Sequence, residues 1–409
     1  MKPIGPLPAE FAGQRGELTI AGRTAEQWVA EAGDTPVFVY DMAIVAARIA
    51  RFRAAFPDID LHYAIKANPL PGLLQQIAPL VDGLDVASAG ELQRALVVKP
   101  AGAISFAGPG KRDDELAVAI GTGATLNVES EGEAARAIAI GDRLGLVPRL
   151  AVRVNPDMEL RGSGMRMGGR PSPFGVDADR AAALAASIVA QGAVWRGFHI
   201  YAGSQALDAD AIAETQSATL ALAARLADAV GATPPLVNLG GGFGVPYFAG
   251  DRSLDIEAIG IKLEMALAAR PAILSGSRFA IELGRWLVAE SGVYLTRIVD
   301  RKESGGETFL IVDGGLNHQL AASGNFGTVV RRNYPVALAG AVDAEPAETV
   351  SIVGPLCTPL DRLADRVALP VAAVGDLVAI FLAGAYGASA SPAAFLGHPP
   401  AAELLADRH

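Results

Sequence analysis

The sequence predicts an α/β protein, a (β/α)8 TIM barrel followed by a mostly antiparallel β domain. From about residue 35, short β-like runs alternate with helix-like runs, as in a chain where each strand is followed by a helix. Eight candidate strands lie between residues 61 and 283, and roughly 220 residues suit this fold. After about residue 285 the runs stay β-rich, are separated by Gly, Pro and Asp, and lose helical spacing. An open doubly wound sheet is the alternative for the first part.

The candidate strands are short apolar runs, in order LHYAI (61–65), LDVA (84–87), ISFA (104–107), ATLNV (124–128), RLAVRVN (149–155), GFHIYA (197–202), LVNLG (236–240) and RFAIEL (278–283). Segments with helical spacing separate them, including a long run from a candidate N-cap at Asp208 to Val230. We therefore predict an N-terminal segment (1–34) that joins the β domain, a barrel (35–284) and a C-terminal β domain (285–409). The Gly- and Pro-rich loop 165–180 is either a mobile lid or a surface insertion.

Composition excludes several classes of protein. Hydrophobic residues make up 51% and charged residues 19% of 409, which is enough apolar material to fill a core and excludes extensive disorder. The formal charge of -10 argues against a nucleic acid or an anionic membrane as the main partner. The one cysteine, Cys357, excludes an intramolecular disulfide and favours a reducing compartment. The chain shows neither a signal peptide nor an apolar run long enough to span a membrane, so we expect a cytoplasmic protein. We also expect no metal site.

Polar residues follow the candidate strands where a barrel collects its active site, at the C-terminal strand ends. They are Lys66, Asp85, Arg153, His199, Tyr201, Ser204, Gly240, Gly241, Gly242, Glu282 and Arg285. We therefore expect them to converge at one rim.

Lys66 ends an apolar strand, where burial would favour a neutral, nucleophilic amine that can form a Schiff base with an aldehyde. The alternative is a lysine that reaches water from a strand end. Gly240 to Gly242, Ser204, Arg285 and Tyr386 offer three kinds of phosphate donor. A phosphorylated aldehyde that needs a lysine is pyridoxal 5'-phosphate (PLP).

Glu282 could then face the pyridine nitrogen of the cofactor, or form an ordinary strand-end salt bridge. His199 and Tyr201 share one face of their strand, so either ring could lie against the cofactor, and a core aromatic is the alternative for each.

Seven motifs stand in the order found in one enzyme family: HYAIKANP, LDVASAGEL, GFHIYAGSQ, GGGFG, ELGR, GPLCTPLD and GAYG. With them the chain resembles the alanine racemase-like, fold-type III PLP-dependent decarboxylases, which include diaminopimelate and ornithine decarboxylases. The resemblance covers about residues 35 to 400. It implies decarboxylation of an α-amino acid through a Lys66 aldimine.

The resemblance also assigns roles to single residues. Glu282 would bind the pyridine nitrogen, and Asp85 and Arg153 match supporting positions around the cofactor and Lys66. The phosphate would be held by Ser204, Gly240, Gly241, Gly242, Arg285 and Tyr386. Cys357 matches the cysteine that reaches from the second subunit and returns a proton to the α-carbon. A homodimer with shared active sites follows from that role.

Substrate positions depart from the family pattern. Thr358 stands where relatives carry an acid for the distal ammonium of diaminopimelate or ornithine, and a hydroxyl cannot make that charge-assisted contact. The candidate substrate-binding residues are Thr358, Asp361, His318, Arg331 and Arg332. The C-terminal motifs resemble the exosortase-associated branch of these decarboxylases. We therefore expect a substrate other than diaminopimelate, either a free amino acid or one bound to a carrier protein. A racemase of the same fold and a noncatalytic PLP-binding protein are the alternative functions.

Overall fold

A computed structural model of the chain describes residues 1–11, 13, 16–166, 168–169, 171–324 and 331–407, with only the backbone of residues 165 and 166. The strands are β1 (Thr19–Ile20), β2 (Arg23–Thr24), β3 (Val37–Asp41), β4 (Asp60–Ala64), β5 (Gly83–Val86), β6 (Ile104–Phe106), β7 (Thr125–Val128), β8 (Arg149–Asn155), β9 (Met165–Arg166), β10 (Val176–Asp177), β11 (Val194–Ile200), β12 (Gly203–Ser204), β13 (Leu236–Asn238), β14 (Arg278–Leu283), β15 (Gly292–Ser304), β16 (Glu307–Val312), β17 (Val336–Leu338), β18 (Glu348–Val353), β19 (Arg362–Leu369), β20 (Leu377–Ile380) and β21 (Ala402–Ala406).

The helices are α1 (Ala25–Ala32), α2 (Met42–Ala55), α3 (Pro71–Ile77), α4 (Ala89–Val98), α5 (Asp113–Thr122), α6 (Glu131–Leu144), α7 (Ala178–Ala190), α8 (Ala209–Val230), α9 (Ile256–Ala268) and α10 (Arg285–Val288). Asp208 caps α8 as predicted, because its side chain accepts hydrogen bonds from the amides of Asp210 and Ala211. In the described part of the chain, no helix combines the length and apolarity needed to cross a membrane.

Eight parallel strands close into a barrel, which confirms the predicted fold class. They follow one another in the order β4, β5, β6, β7, β8, β11, β13 and β14, and β14 pairs with β4 to complete the ring. Each of the eight strand predictions coincides with one of these strands. The open doubly wound sheet is therefore excluded.

The strands alternate between an apolar outer face and a polar inner face. In β4, for example, Leu61 and Tyr63 are buried against the outer layer, whereas His62 points inward in register with Glu282 of β14. The inward residues at this level include His62, Asp85, Ser105, Asn127, Arg153, His199, Asn238 and Glu282. The interior of the barrel is therefore a polar site and not only a core.

A second compact unit is β-rich and combines residues 1–48, 245–253 and 285–409, whereas the barrel unit combines 49–244 and 254–284. Its sheet has the order β17, β20, β15, β16, β18 and β19, with β3 between β15 and β21. Most pairs are antiparallel, as predicted; β16 with β18 and β21 with β3 are parallel.

This β-rich unit includes residues that the sequence placed in the barrel. β3 pairs with β15 from Val37 to Tyr40, so the segment before residue 48 lies with the β sheet. The side chains of Phe11, Leu18 and Trp28 share an apolar core with Val293 and Leu295 of β15. Among the strands that the structure describes, β1 and β2 pair only with each other. The N-terminal segment thus contacts the unit through its core, and the strand that extends the sheet follows residue 34.

Candidate active site

Lys66 lies in a 3-10 turn, Ile65–Ala67, that directly follows β4. Its side chain is exposed in this chain although the strand before it is buried. The expectation that burial makes this amine neutral is therefore wrong, because the chain turns out of the barrel wall one residue before the lysine. Gly284 follows the neighbouring strand β14 and packs on this turn, since a Cβ at Gly284 would lie 2.9 Å from the Cβ of Ala67.

Glu282 is a buried carboxylate on β14, the strand that pairs with β4. Its Oε2 lies 3.0 Å from Nε2 of His199, and both side chains are buried. Burial alone would raise the pKa of Glu282, but the hydrogen bond from His199 and the charges of Lys66 and Arg153 hold that pKa well below its usual range. Glu282 is therefore ionised, as a partner for a protonated ring nitrogen must be. The predicted salt bridge to an arginine is replaced by this pair with His199.

A second histidine and carboxylate pair lies in the barrel, and the sequence analysis missed the histidine. Nδ1 of His62 lies 3.3 Å from Oδ2 of Asp85, whose Oδ1 accepts a hydrogen bond from Ser105. Asn127 in turn donates to Ser105 over 3.0 Å. Burial opposes protonation of His62, but the neighbouring Asp85 outweighs it and raises the histidine pKa. Strict alternation along LHYAI was the signal for an inward His62.

Arg153 is anchored by Glu129, another residue that the sequence analysis missed. The two side chains are 2.8 Å apart and buried. Glu129 also accepts hydrogen bonds from the amides of Gly108 and Gly175, at 2.5 and 3.0 Å. Glu129 directly follows β7, so its place after a strand was the available signal. Arg153 therefore keeps a fixed orientation inside the barrel.

A glycine loop and Ser204 supply the predicted phosphate donors of the barrel unit. Gly240 and Gly242 have positive φ angles of 72° and 84°, and a Cβ at Gly241 would lie 1.9 Å from the carbonyl oxygen of Glu282. Only glycine fits such close approaches between backbones. The hydroxyl of Ser204 is buried and has no hydrogen-bond partner in the described part of the chain. An orphaned hydroxyl beside a glycine loop fits a phosphate group.

Arg285 lies among three tyrosines in the β-rich unit. It donates a hydrogen bond to the hydroxyl of Tyr247 over 3.0 Å, and its guanidinium lies 4.7 Å from the ring of Tyr386. Tyr334 stacks on Tyr247 with ring centres 4.6 Å apart. Burial disfavours the charge on Arg285, but the surrounding tyrosine hydroxyls outweigh it and raise the arginine pKa. The predicted donors Arg285 and Tyr386 are thus neighbours, and Tyr247 joins them.

Cys357 is exposed in the loop between β18 and β19. Arg331 holds this loop, because its guanidinium donates to the carbonyls of Leu360 and Arg362 at 3.3 and 3.0 Å. The hydroxyl of Thr358 accepts a hydrogen bond from the amide of Leu360 at 3.3 Å. Arg331, predicted to bind substrate, thus uses two of its donors within the chain, and its substrate role stays a prediction.

Asp361 and His318, also predicted to bind substrate, form hydrogen bonds within the β-rich unit, and their substrate roles stay predictions. The two carboxylate oxygens of Asp361 accept hydrogen bonds from the amides of Leu316 and Leu356, at 2.7 and 2.8 Å. His318 is buried between the hydroxyl of Tyr294, at 3.1 Å from Nδ1, and a backbone carbonyl at 2.8 Å from Nε2. Both side chains join loops of the β-rich unit because burial requires their polar atoms to be paired. Arg332, by contrast, is exposed, with its guanidinium 3.9 Å from the ring of Phe248.

The loop that was predicted as a lid or an insertion is described only in part. Residues 167 and 170 and the side chains of residues 165 and 166 lie outside the described residues, as do residues 325–330. The described backbone pairs β9 with β12 and β10 with β8.

Comparisons with known proteins agree with this geometry. The protein-family model for the pyridoxal binding domain of pyridoxal-dependent decarboxylases matches residues 42–289 of this chain. An L-glutamyl-[BtrI acyl-carrier protein] decarboxylase of Niallia circulans is 37% identical over 91% of this chain and 89% of its own length. A diaminopimelate decarboxylase of Archaeoglobus fulgidus is 31% identical over 97% of this chain and 93% of its own length.

A solved structure shows the same fold. Diaminopimelate decarboxylase from Helicobacter pylori, complexed with L-lysine, matches with a TM-score of 0.83 and 28% identity over 94% of each chain. The family model covers more than half of the chain, and the sequence relatives cover nearly all of it. The chain therefore belongs to the family of PLP-dependent, fold-type III amino acid decarboxylases.

Proposed function

We propose that this protein binds PLP and decarboxylates an α-amino acid. The observation that carries the proposal is the placement of Lys66 directly after β4 and of Glu282 on β14, the strand that pairs with β4, with Glu282 buried and ionised. A lysine that anchors an aldehyde and a carboxylate that keeps a ring nitrogen protonated are the two groups this chemistry requires.

Each candidate residue has a proposed role in cofactor binding. Lys66 would bind the aldehyde, and Glu282 would accept a hydrogen bond from the ring N–H. Since the Nε2 of His199 is engaged by Glu282, Tyr201 is the residue we propose to lie against the cofactor ring. The proposed phosphate donors are Ser204, Gly240, Gly241 and Gly242 in the barrel unit, and Arg285 and Tyr386 in the β-rich unit. Asp85 and Arg153 are supporting residues, and each is held by a partner of opposite charge: Asp85 pairs with His62, and Arg153 pairs with Glu129. When bound, PLP supplies an electron sink for the pair of electrons left on the α-carbon as carbon dioxide departs.

Cys357 is the proposed proton donor to the α-carbon. Its exposed position between β18 and β19 supports a role in the active site of a second subunit, and hence a homodimer. A thiol donates a proton at neutral pH and regains it from solvent. This role requires a reduced thiol, in keeping with a cytoplasmic location.

The cofactor proposal is tested by absorbance. Wild-type protein mixed with PLP should develop the visible band of a lysine-bound cofactor, and Lys66→Ala should not. Release of carbon dioxide from an amino acid, without inversion of the substrate, distinguishes a decarboxylase from a racemase. Cys357→Ala should retain the cofactor band and lose turnover. A wild-type protein that binds no PLP would refute the proposal.

We further propose that the substrate is an aminoacyl group on a carrier protein. Cationic side chains surround a single carboxylate, Asp365, in the β-rich unit: Lys2 at 2.5 Å, Arg362 in hydrogen-bond contact, and Arg366 at 3.8 Å. Arg331 contacts the backbone of Arg362, and the exposed Arg332 follows it in the chain.

This basic cluster is notable on a chain with a formal charge of -10. It suits a partner that presents phosphate or carboxylate groups, as a carrier protein with a phosphopantetheine arm does. Thr358 supports the same substrate class, because it offers no acid for a distal ammonium. The relative from Niallia circulans acts on a carrier-bound glutamyl group.

The substrate class is tested with the same amino acid in free and carrier-linked form. We expect kcat/KM to be higher for the carrier-linked form and to fall with added salt. Arg332→Gln and Arg366→Gln should lower it about tenfold for that form only, since charges at the edge of an interface act chiefly on association. Arg225→Gln, an exposed arginine on α8 of the barrel unit, is the matched control. Equal activity on the free amino acid would refute the carrier-bound substrate.

A further inference from the structure

His199 is a buried side chain in the barrel to which the family resemblance assigns no single role. It is 3% exposed, and its Nε2 lies 3.0 Å from Oε2 of Glu282. Since an ionised carboxylate only accepts, Nε2–H is the donor. The ring is tilted by 62° from that of Tyr201, at 6.5 Å between centres. The Nε2 edge of the imidazole ring is thus directed at Glu282.

The other nitrogen, Nδ1, has no hydrogen-bond partner in the described part of the chain. His199 lines a cavity of about 110 Å³ in the barrel, together with polar residues that include His62, Ser105, Asn127 and Asn238. A cavity of this size and polarity has room for water molecules, which can satisfy Nδ1. The hydrogen bond to the ionised Glu282 thus requires a hydrogen on Nε2.

Four titratable or cationic side chains lie around Glu282, on three strands or directly after them. His199 lies on β11, Arg153 on β8 and His62 on β4, and Lys66 follows β4. Arg153 is already paired with Glu129, and His62 with Asp85, so each brings its own counter-charge. His199 is the group that donates directly to Glu282. Its loss would remove this hydrogen bond, and burial, which favours the neutral acid, would then be less strongly opposed.

We propose that His199 is a positioning residue for the cofactor: it keeps Glu282 ionised and occupies Oε2, so that Oε1 is presented to the ring nitrogen. The inference rests on the proposed binding of PLP and adds to it a residue that acts on the cofactor through Glu282. It also explains why the ring-facing role falls to Tyr201.

The test uses binding and not turnover. Pyridoxamine 5'-phosphate has the ring and the phosphate but no aldehyde, so its affinity for the protein reports the ring contact without Lys66. His199→Leu should weaken its binding about 10- to 100-fold at pH 8, the range for losing a hydrogen bond to a charged group. His199→Gln can still donate near the Nε2 position and should remain within about threefold of wild type.

The pH dependence separates this role from a purely structural one. Glu282 must be ionised to bind the ring, so affinity is lost as pH falls through its pKa. In His199→Leu the pKa of Glu282 is higher, and the loss of affinity should begin at a higher pH than in wild type. In a Glu282→Gln background, His199→Leu should add little further effect.

Several outcomes decide the matter. Unchanged affinity and an unchanged acid limb in His199→Leu, or additive effects with Glu282→Gln, would overturn the inference while leaving PLP binding intact. Wild-type protein that binds neither PLP nor pyridoxamine 5'-phosphate would instead overturn the proposed function. If His199→Leu does not fold, His199→Asn, which is too short to reach Oε2, replaces it in the same comparison.

Discussion

Gly241 is the point at which the glycine loop approaches the strand that carries Glu282. A Cβ built on Gly241 would lie 1.9 Å from the carbonyl oxygen of Glu282 and 3.2 Å from a methyl group of Leu283. The carbonyl is backbone and cannot rotate away. It is also held in place, because the amide of the same Glu282 donates to the carbonyl of Gly240 over 2.8 Å.

Gly241→Ala should therefore displace backbone on both sides. Restoring an ordinary carbon to oxygen contact of about 3.3 Å requires a shift of about 1.4 Å, which is large for a closed parallel barrel. We expect the free energy of unfolding to fall by about 3 kcal/mol, at the upper end for overpacking. Affinity for PLP should fall as well, since the shift moves Glu282 relative to His199.

Urea denaturation of the apoprotein, followed by circular dichroism, measures the first effect, and absorbance titration with PLP measures the second. Gly132→Ala is the matched control. Gly132 lies in helix α6, and the nearest atom to its added Cβ is 3.9 Å away. Alanine should stabilise that helix by up to about 1 kcal/mol. Equal stability of Gly241→Ala and wild type would refute this account of the loop.

Three further changes test other parts of the chain. Lys111→Met should lower the free energy of unfolding, measured by urea denaturation, by about 3–5 kcal/mol, because Glu133, its buried partner at 2.6 Å, then lacks a counter-charge. The double variant with Glu133→Gln should recover much of this loss. Burial lowers the pKa of His318, so its contribution to stability is lost as pH falls below about 6.5, and His318→Gln should flatten the pH dependence of unfolding there. Arg331→Ala should speed proteolytic cleavage at the Cys357 loop, whereas Arg332→Ala should not.

The fold was predictable because each barrel strand is short, apolar on one face and followed by helical spacing. The β4 run illustrates what was harder to predict. LHYAI looks apolar as a whole, and only strict alternation shows that His62 points inward while Leu61 and Tyr63 point outward. The turn at Ile65 that exposes Lys66 depends on tertiary packing against Gly284, which periodicity does not record.

The sequence singles out candidate site residues where one residue type carries one chemical task, as for Lys66 and Glu282, and their roles stay predictions. The site was not predictable where a residue acts on another residue across strands. The pairing of Glu129 with Arg153 joins β8 to the residue that follows β7. Arg331, likewise, serves loop carbonyls that are distant in sequence. Such partners become visible only when the strand order is known.

Strand β3 has a consequence for synthesis on the ribosome. It pairs with β15 from Gly292 to Leu295 and with β21 from Ala402 to Ala406, so its partners are made some 250 and 360 residues later. At about 5–20 residues per second, Val37–Asp41 waits tens of seconds before it can pair. The barrel strands, from Asp60 to Leu283, are complete in that interval. We therefore expect the barrel to form first during translation, with the β-rich unit completed only after β21 has been synthesised.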